Sequence, residues 1–168
     1  VIESGENMLA LFPLVKMRNA GSRILAGRYE ETDWEPPVPG SLSELSEFCR
    51  KKMEYKGDPA RGLLDHIQPV PHMNWQLQNS GKIKGDCDDL ATYVAYMLKR
   101  MGYQHAYRVN IMRHRHVICV FRYNSSYRYF SNQYLRSGTF GSIREAVNHW
   151  CKGKGHAPTS LYYAERLE

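Results

Sequence analysis

The chain has 168 residues, 42% apolar and 24% charged, the balance of a soluble globular protein long enough for one real core. Its net charge of +6, from 23 basic and 17 acidic residues, is scattered, with the densest clusters at Arg50-Lys51-Lys52 and Lys152/Lys154. This reads as a solvated surface, and no nucleic-acid partner is expected. No run approaches the roughly 20 apolar residues of a membrane span, since Met8 to Met17 is short and contains Pro13, so no membrane association is expected either. The four cysteines, Cys49, Cys87, Cys119 and Cys151, form no CxxC pair, which argues against a zinc site of the usual spacing. No signal sequence is visible, so free thiols in a reducing compartment, the cytoplasm, are expected.

Residues 1–40 read as an N-terminal arm or loosely attached extension, in which Asn7 to Met17 fits either a short helix or a strand. Asp33-Trp-Glu-Pro-Pro-Val-Pro-Gly40 is the clearest break, because prolines stop both helices and ladders. The compact domain is expected over 41–168. Ser41-Leu-Ser-Glu44 fits a capping box, and Leu42, Leu45, Phe48, Cys49 and Met53 follow at helical spacing, predicting a helix over 42–54. Residues 55–84, with Gly57-Asp-Pro59, Pro69-Val-Pro71 and Gly81, read as a long loop-rich stretch.

From Cys87 to Met101, Leu90, Ala91, Val94, Leu98 and Met101 form one apolar stripe. Asp86, Asp88 and Asp89 suit the N-terminal end of that helix, and Lys99, Arg100 and Gly102 its C-terminal end. The period then changes to two. His105 to Ile111, His116 to Phe121 and Tyr127 to Ser131 read as strands, the last two joined at Asn124-Ser-Ser126. Ser142-Ile-Arg-Glu145 opens a further helix through Trp150 and Cys151, and Ser160 to Arg166 reads as a final strand. Helices followed by an antiparallel sheet, a helix and a strand make an α+β fold.

The chemistry concentrates in Gly85-Asp-Cys-Asp-Asp-Leu-Ala91. A thiol attacks as the thiolate, and a helix N-terminus stabilises that anion, so Cys87 is the candidate nucleophile. Its spacing from Leu90 and Ala91 turns it toward the buried side of the helix. Gly85 permits a tight turn and the close approach of a substrate backbone. The three carboxylates oppose thiolate formation unless they are paired or point away. His116, at the start of an apolar strand, is the candidate base, whereas His114 between two arginines reads as a surface residue. A metal site from His114-Arg-His116 lacks further ligands, so no metal or cofactor is expected. With a three-residue loop at 124–126, Tyr123 faces Tyr127 and Ile118 faces Asn132. Asn132 is then diagonal to His116 at roughly 7–8 Å, where it can orient the imidazole. A two-residue turn would shift the register by one and turn Asn132 away. The backbone N–H of Cys87 is the candidate oxyanion donor, with Trp75, Gln76 and Gln78 as candidate side-chain or substrate contacts.

Gly85-Asp-Cys-Asp-Asp-Leu-Ala91, the helix ending at Gly102, His116-Val-Ile-Cys-Val-Phe121 and Tyr129-Phe-Ser-Asn132 together resemble the transglutaminase-like cysteine peptidase superfamily, most closely its bacterial and phage members. The resemblance covers roughly residues 45–135. It extends loosely to Tyr55, Asp58, Asp65 and Trp75 upstream of the cysteine. It implies a papain-like core, a Cys-bearing helix on an antiparallel sheet, with Cys87 as nucleophile and His116 as base. The family's third residue is more often Asp, so Asn132 departs from it, although papain-type enzymes use Asn. The implied activity is amide hydrolysis through an acyl-thioester, by a peptidase acting on a polypeptide or other amide-bearing substrate. Acyl transfer, and a binding or structural module with residues 1–40 docking on a partner, are the alternatives. A phage-type member would be virion-associated.

Overall fold

The computed structural model describes residues 29–57, 67–159 and 161–166. The expected element between Asn7 and Met17 lies outside them, as do Asp58 and Asp65.

Helix α1 spans Leu42–Lys52 and starts as its sequence dictates, with the Glu44 N–H donating to Ser41 Oγ. Strand β1 (Met53–Tyr55) leaves it and pairs in parallel with β2 (Ile83–Gly85). Between them lies α2 (Val70–Ser80), in the stretch expected to be loop. Pro69 is its N-cap and Pro71 sits in its first turn, where a missing N–H costs no helical bond. The prolines that read as loop markers therefore open a helix. Gly81 closes it at φ 73°, a left-handed position that glycine takes without strain.

Helix α3 (Cys87–Arg100) follows β2 directly. It buries the expected Leu90, Ala91, Val94 and Leu98, and also Tyr93, Ala95 and Met97. It is apolar beyond one stripe because it is enclosed on more than one side. The sheet covers one flank, while on the other Tyr93 stacks with Phe48 of α1 at 6.4 Å and donates its hydroxyl proton to Asn74 of α2.

The main sheet has five antiparallel strands in the order β6-β5-β4-β3-β7. They are β3 (Ala106–Ile111), β4 (His116–Tyr123), β5 (Ser126–Ser131), β6 (Tyr134–Leu135) and β7 (Tyr162–Arg166). The short β6 has too few residues to show a period. Alternation along β4 divides the core in two. Val117, Cys119 and Phe121 pack with Phe130 against α3. Ile118 and Val120 pack with Val109, Ile111 and Tyr129 against α4 (Ile143–Gly153), which presents Ile143, Ala146, Val147, Trp150 and Cys151. Each fully buried Val, Leu, Ile or Phe contributes about 1.5–3 kcal/mol of apolar burial. The chain is α+β, with four α-helices among the described residues and the Cys87-bearing helix packed on an antiparallel sheet.

Of the two turns open between β4 and β5, the structure has the shorter. Tyr123 pairs with Ser126, so the turn has two residues, Asn124 and Ser125, and Ile118 faces Ser131. Asn124 takes φ 55°, a left-handed conformation that Asn tolerates and most residues do not. The same device recurs one hairpin later. Ser131 pairs with Tyr134, and Asn132 opens the intervening turn at φ 51°.

The described part of the expected arm, residues 29–40, is fastened to the helices. Arg100 bonds the Pro36 carbonyl and pairs with Glu35, Tyr96 donates to Glu35, and Thr32 donates to Gln78. No helix among the described residues is long and apolar enough to cross a membrane.

Candidate active site

The lead-in to α3 is built around Gly85 and Asp89. Asp86 is the N-cap, its carboxylate accepting from the Asp88 N–H at 3.1 Å, and Asp89 reaches back to accept from the Asp86 N–H at 3.2 Å. The Asp89 carboxylate also accepts from the backbone and side chain of Gln68, at 2.8 and 2.6 Å. Gln76 extends the network, donating to Gln68 Oε1 and accepting from the Lys84 N–H. Asp89 packs so tightly over Gly85 that a Cβ there would lie 2.6 Å from its Oδ2. The glycine therefore makes room for the cap, a different demand from the substrate approach expected of it. Burial, and secondarily the Asp88 charge, raise the Asp89 carboxyl to about 6 against these hydrogen bonds. Ligand atoms of Asp86, Asp88 and Asp89 lie within 4.8 Å of one another, and the cap accounts for Asp86 and Asp89.

Cys87 occupies the first helical position after this cap, where backbone N–H groups have no acceptor within the helix. It is half-buried, whereas Cys49, Cys119 and Cys151 are buried, and none of the four is in a disulfide. Burial pushes the Cys49 thiol up to about 12, and those of Cys119 and Cys151 upward as well. Cys87 is thus the most accessible of the thiols.

His116 begins β4. Helix α3 has 14 residues, about 21 Å at 1.5 Å each, and β3 has six, about 20 Å, so the two run the same length. The C-terminal end of α3 leads into Ala106, opposite Phe121, and midway Arg108 bonds Thr92. The N-terminal end therefore lies toward Ile111 and His116, which face each other. Cys87 and His116 come to one end of the sheet. Their side chains are assigned to different faces by the alternation: Cys87 packs with the cluster under α3, and His116 follows Ile118 and Val120 toward α4.

On that side His116 is firmly held. Its ring stacks on Trp150 at 4.7 Å and 11°, and its Nε2 lies 3.0 Å from Ser131 Oγ. The Trp150 indole N–H also donates to Ser131. Burial, then the charges of Lys154 and Arg136, lower the imidazole to about 4, so it is neutral near pH 7. The shortened turn puts Ser131, and not Asn132, on the face of His116. The expected orienting role of Asn132 loses its geometric basis. Asn132 is a turn residue whose buried Oδ1, like Gln133 Oε1, has no hydrogen-bond partner.

Neither Trp75 nor Gln78 belongs to the network at the start of α3. Trp75 stacks on His72 at 5.8 Å, and exposed Gln78 binds Thr32, whereas Gln76 does reach β2. Sequence reasoning did not find Ser131, Trp150 or Gln68. The first depended on a one-residue register, and the others have ordinary packing roles in any one-dimensional reading. No protein-family model and no curated protein matches the chain.

Proposed function

We propose that this chain is a thiol-dependent amide hydrolase, a cysteine peptidase with a transglutaminase-like, papain-like core. The observation that carries the reading is the half-buried Cys87 at the capped N-terminus of a 14-residue helix packed on the sheet that His116 enters. The Cys87 thiolate attacks the amide carbonyl, and the tetrahedral oxyanion is met by the Cys87 backbone N–H. With Nε2–H donated to Ser131, the Nδ1 lone pair of His116 accepts the thiol proton and later delivers it to the leaving amine. Water then resolves the acyl-thioester to acid and free thiol. This requires the thiol and the substrate carbonyl to reach Nδ1 around the strand end while the Nε2–Ser131 bond is kept. Incubation with a peptide library, read by mass spectrometry, tests the reading. It predicts cleaved peptides from the wild type, none from Cys87→Ser, and a mass adduct on Cys87 with slowly hydrolysed thioester-forming substrates. Intact peptides throughout would defeat it.

One observation favours a second reading. His116 follows the residues that pack against α4, and it is fixed there by Ser131 and Trp150. A domain that keeps this fold as a binding module needs no thiol–imidazole pair, and in it Cys87→Ala and His116→Gln change neither function nor partner affinity.

A further inference from the structure

Charge is divided along this chain. Residues 1–89 hold eleven Lys or Arg and fourteen Asp or Glu, whereas residues 90–168 hold twelve and three. No acidic residue occurs between Asp89 and Glu145. Apart from Lys99 and Arg100 at the end of α3, the cations of that second half lie in the sheet, α4 and their connections.

Part of it gathers at the His116 end. The Trp150 indole is surrounded by three imidazoles: His116 at 4.7 Å, His114 at 5.9 Å and His156 at 5.9 Å. His114 and His156 also stack on each other at 4.0 Å and 4°. Exposed Lys152 and Lys154 end α4 just before His156, and Arg136 follows β6 with its guanidinium against the exposed Tyr134 ring. Burial first, then the charges of Lys154 and Arg136, hold the His116 imidazole down, and burial first, then His156 and Arg113, that of His114. Among the described residues none of Arg136, Lys152 and Lys154 pairs with a carboxylate. Cations gathered around this indole without paired carboxylates attract negative charge.

We propose that Arg136, Lys154 and the His114–His156 pair form a subsite for a carboxylate of the substrate, so that the scissile amide lies in an acidic stretch of polypeptide. This rests on the hydrolase reading of Cys87 and His116. The cluster is compact and centred on one indole. It suits one or two carboxylates better than nucleic acid, which is bound along a track of cations matched to successive phosphates. A carboxylate docked here also partly neutralises the field that Lys154 and Arg136 impose on His116.

The test uses the full chain with Cys87→Ala and fluorescence anisotropy of labelled peptides. A Glu/Asp-rich peptide is expected to bind about tenfold more tightly than its Gln/Asn counterpart, a factor that corresponds to about 1.4 kcal/mol. The difference is expected to shrink in high salt and in Arg136→Gln/Lys154→Gln protein, with circular dichroism checking the fold. If that pair fails to fold, the exposed pair Lys152→Gln/Lys154→Gln replaces it. Equal affinity for the two peptides, or a preference unmoved by charge removal, overturns the proposal. Tighter binding of a single-stranded oligonucleotide than of the acidic peptide also overturns it. Failure of the hydrolase reading is a separate result: no peptide cleaved by the wild type, whichever peptide the Cys87→Ala protein prefers.

Discussion

His116 Nε2 lies 3.0 Å from Ser131 Oγ, a buried hydroxyl that also receives the Trp150 indole N–H. This relationship depends on a single residue of register. With Tyr123 opposite Ser126, Ser131 shares the His116 face and Asn132 falls in the next turn. A neutral imidazole held at Nε2 keeps Nδ1 for chemistry, so Ser131 is the positioning residue of the proposed site.

Ser131→Ala is expected to lower peptide hydrolysis about tenfold, the scale of one buried hydrogen bond, and to alter the pH–rate profile because the imidazole loses its partner. Asn132→Gly keeps the left-handed turn and is expected to change activity less than twofold. Steady-state kinetics on both variants decide the matter. A large loss in Asn132→Gly with none in Ser131→Ala would restore Asn132 as the orienter.

Two buried groups make opposite contributions to the pH dependence of stability. His116 is lowered from 6.5 to about 4, so the stability linked to it is present above pH 6.5 and is lost as pH falls to 4. Asp89 is raised from 3.8 to about 6, so its contribution is present below pH 3.8 and is lost as pH rises through 6. Each amounts to about 3 kcal/mol at 1.36 kcal/mol per pH unit, and between pH 4 and 6.5 the two nearly cancel. Urea denaturation at pH 7 and pH 4 tests this. Relative to the wild type, His116→Gln is expected to gain stability on acidification and Asp89→Asn to lose it. Parallel pH dependences in all three proteins would refute the assignment.

Gly85→Ala is expected to destabilise the fold by about 1–3 kcal/mol, the usual cost of overpacking, because its Cβ would meet Asp89 at 2.6 Å. The thermal midpoint reads this directly, since both the Cβ and the Oδ2 of Asp89 stand 2.6 Å from the added atom. An unchanged midpoint would mean that the cap adjusts freely.

Much of this fold is legible in local chemistry. Ser41 and Ser142 mark helix starts by side-chain capping, the stripe from Leu90 to Leu98 marks α3, and the apolar run from Val117 to Phe121 marks a strand buried on both faces. What escapes a one-dimensional reading is tertiary. Pro69 and Pro71 signal loop and helix start equally well, and the neighbouring chain decides. The turn at Asn124-Ser125 admits two registers, and the choice changes which residue meets His116. Cys87 is legible from its motif, and His116 from its strand. Ser131 and Trp150 become visible only when the sheet and α4 are packed together.

The most direct measurement of the central claim is the rate at which iodoacetamide modifies each cysteine near pH 7, followed by peptide mass spectrometry. The account predicts rapid, selective alkylation of Cys87, little at Cys49, Cys119 and Cys151, and a marked slowing at Cys87 in His116→Ala protein. Cys87 reacting no faster than the buried thiols, or at a rate indifferent to His116, would contradict it.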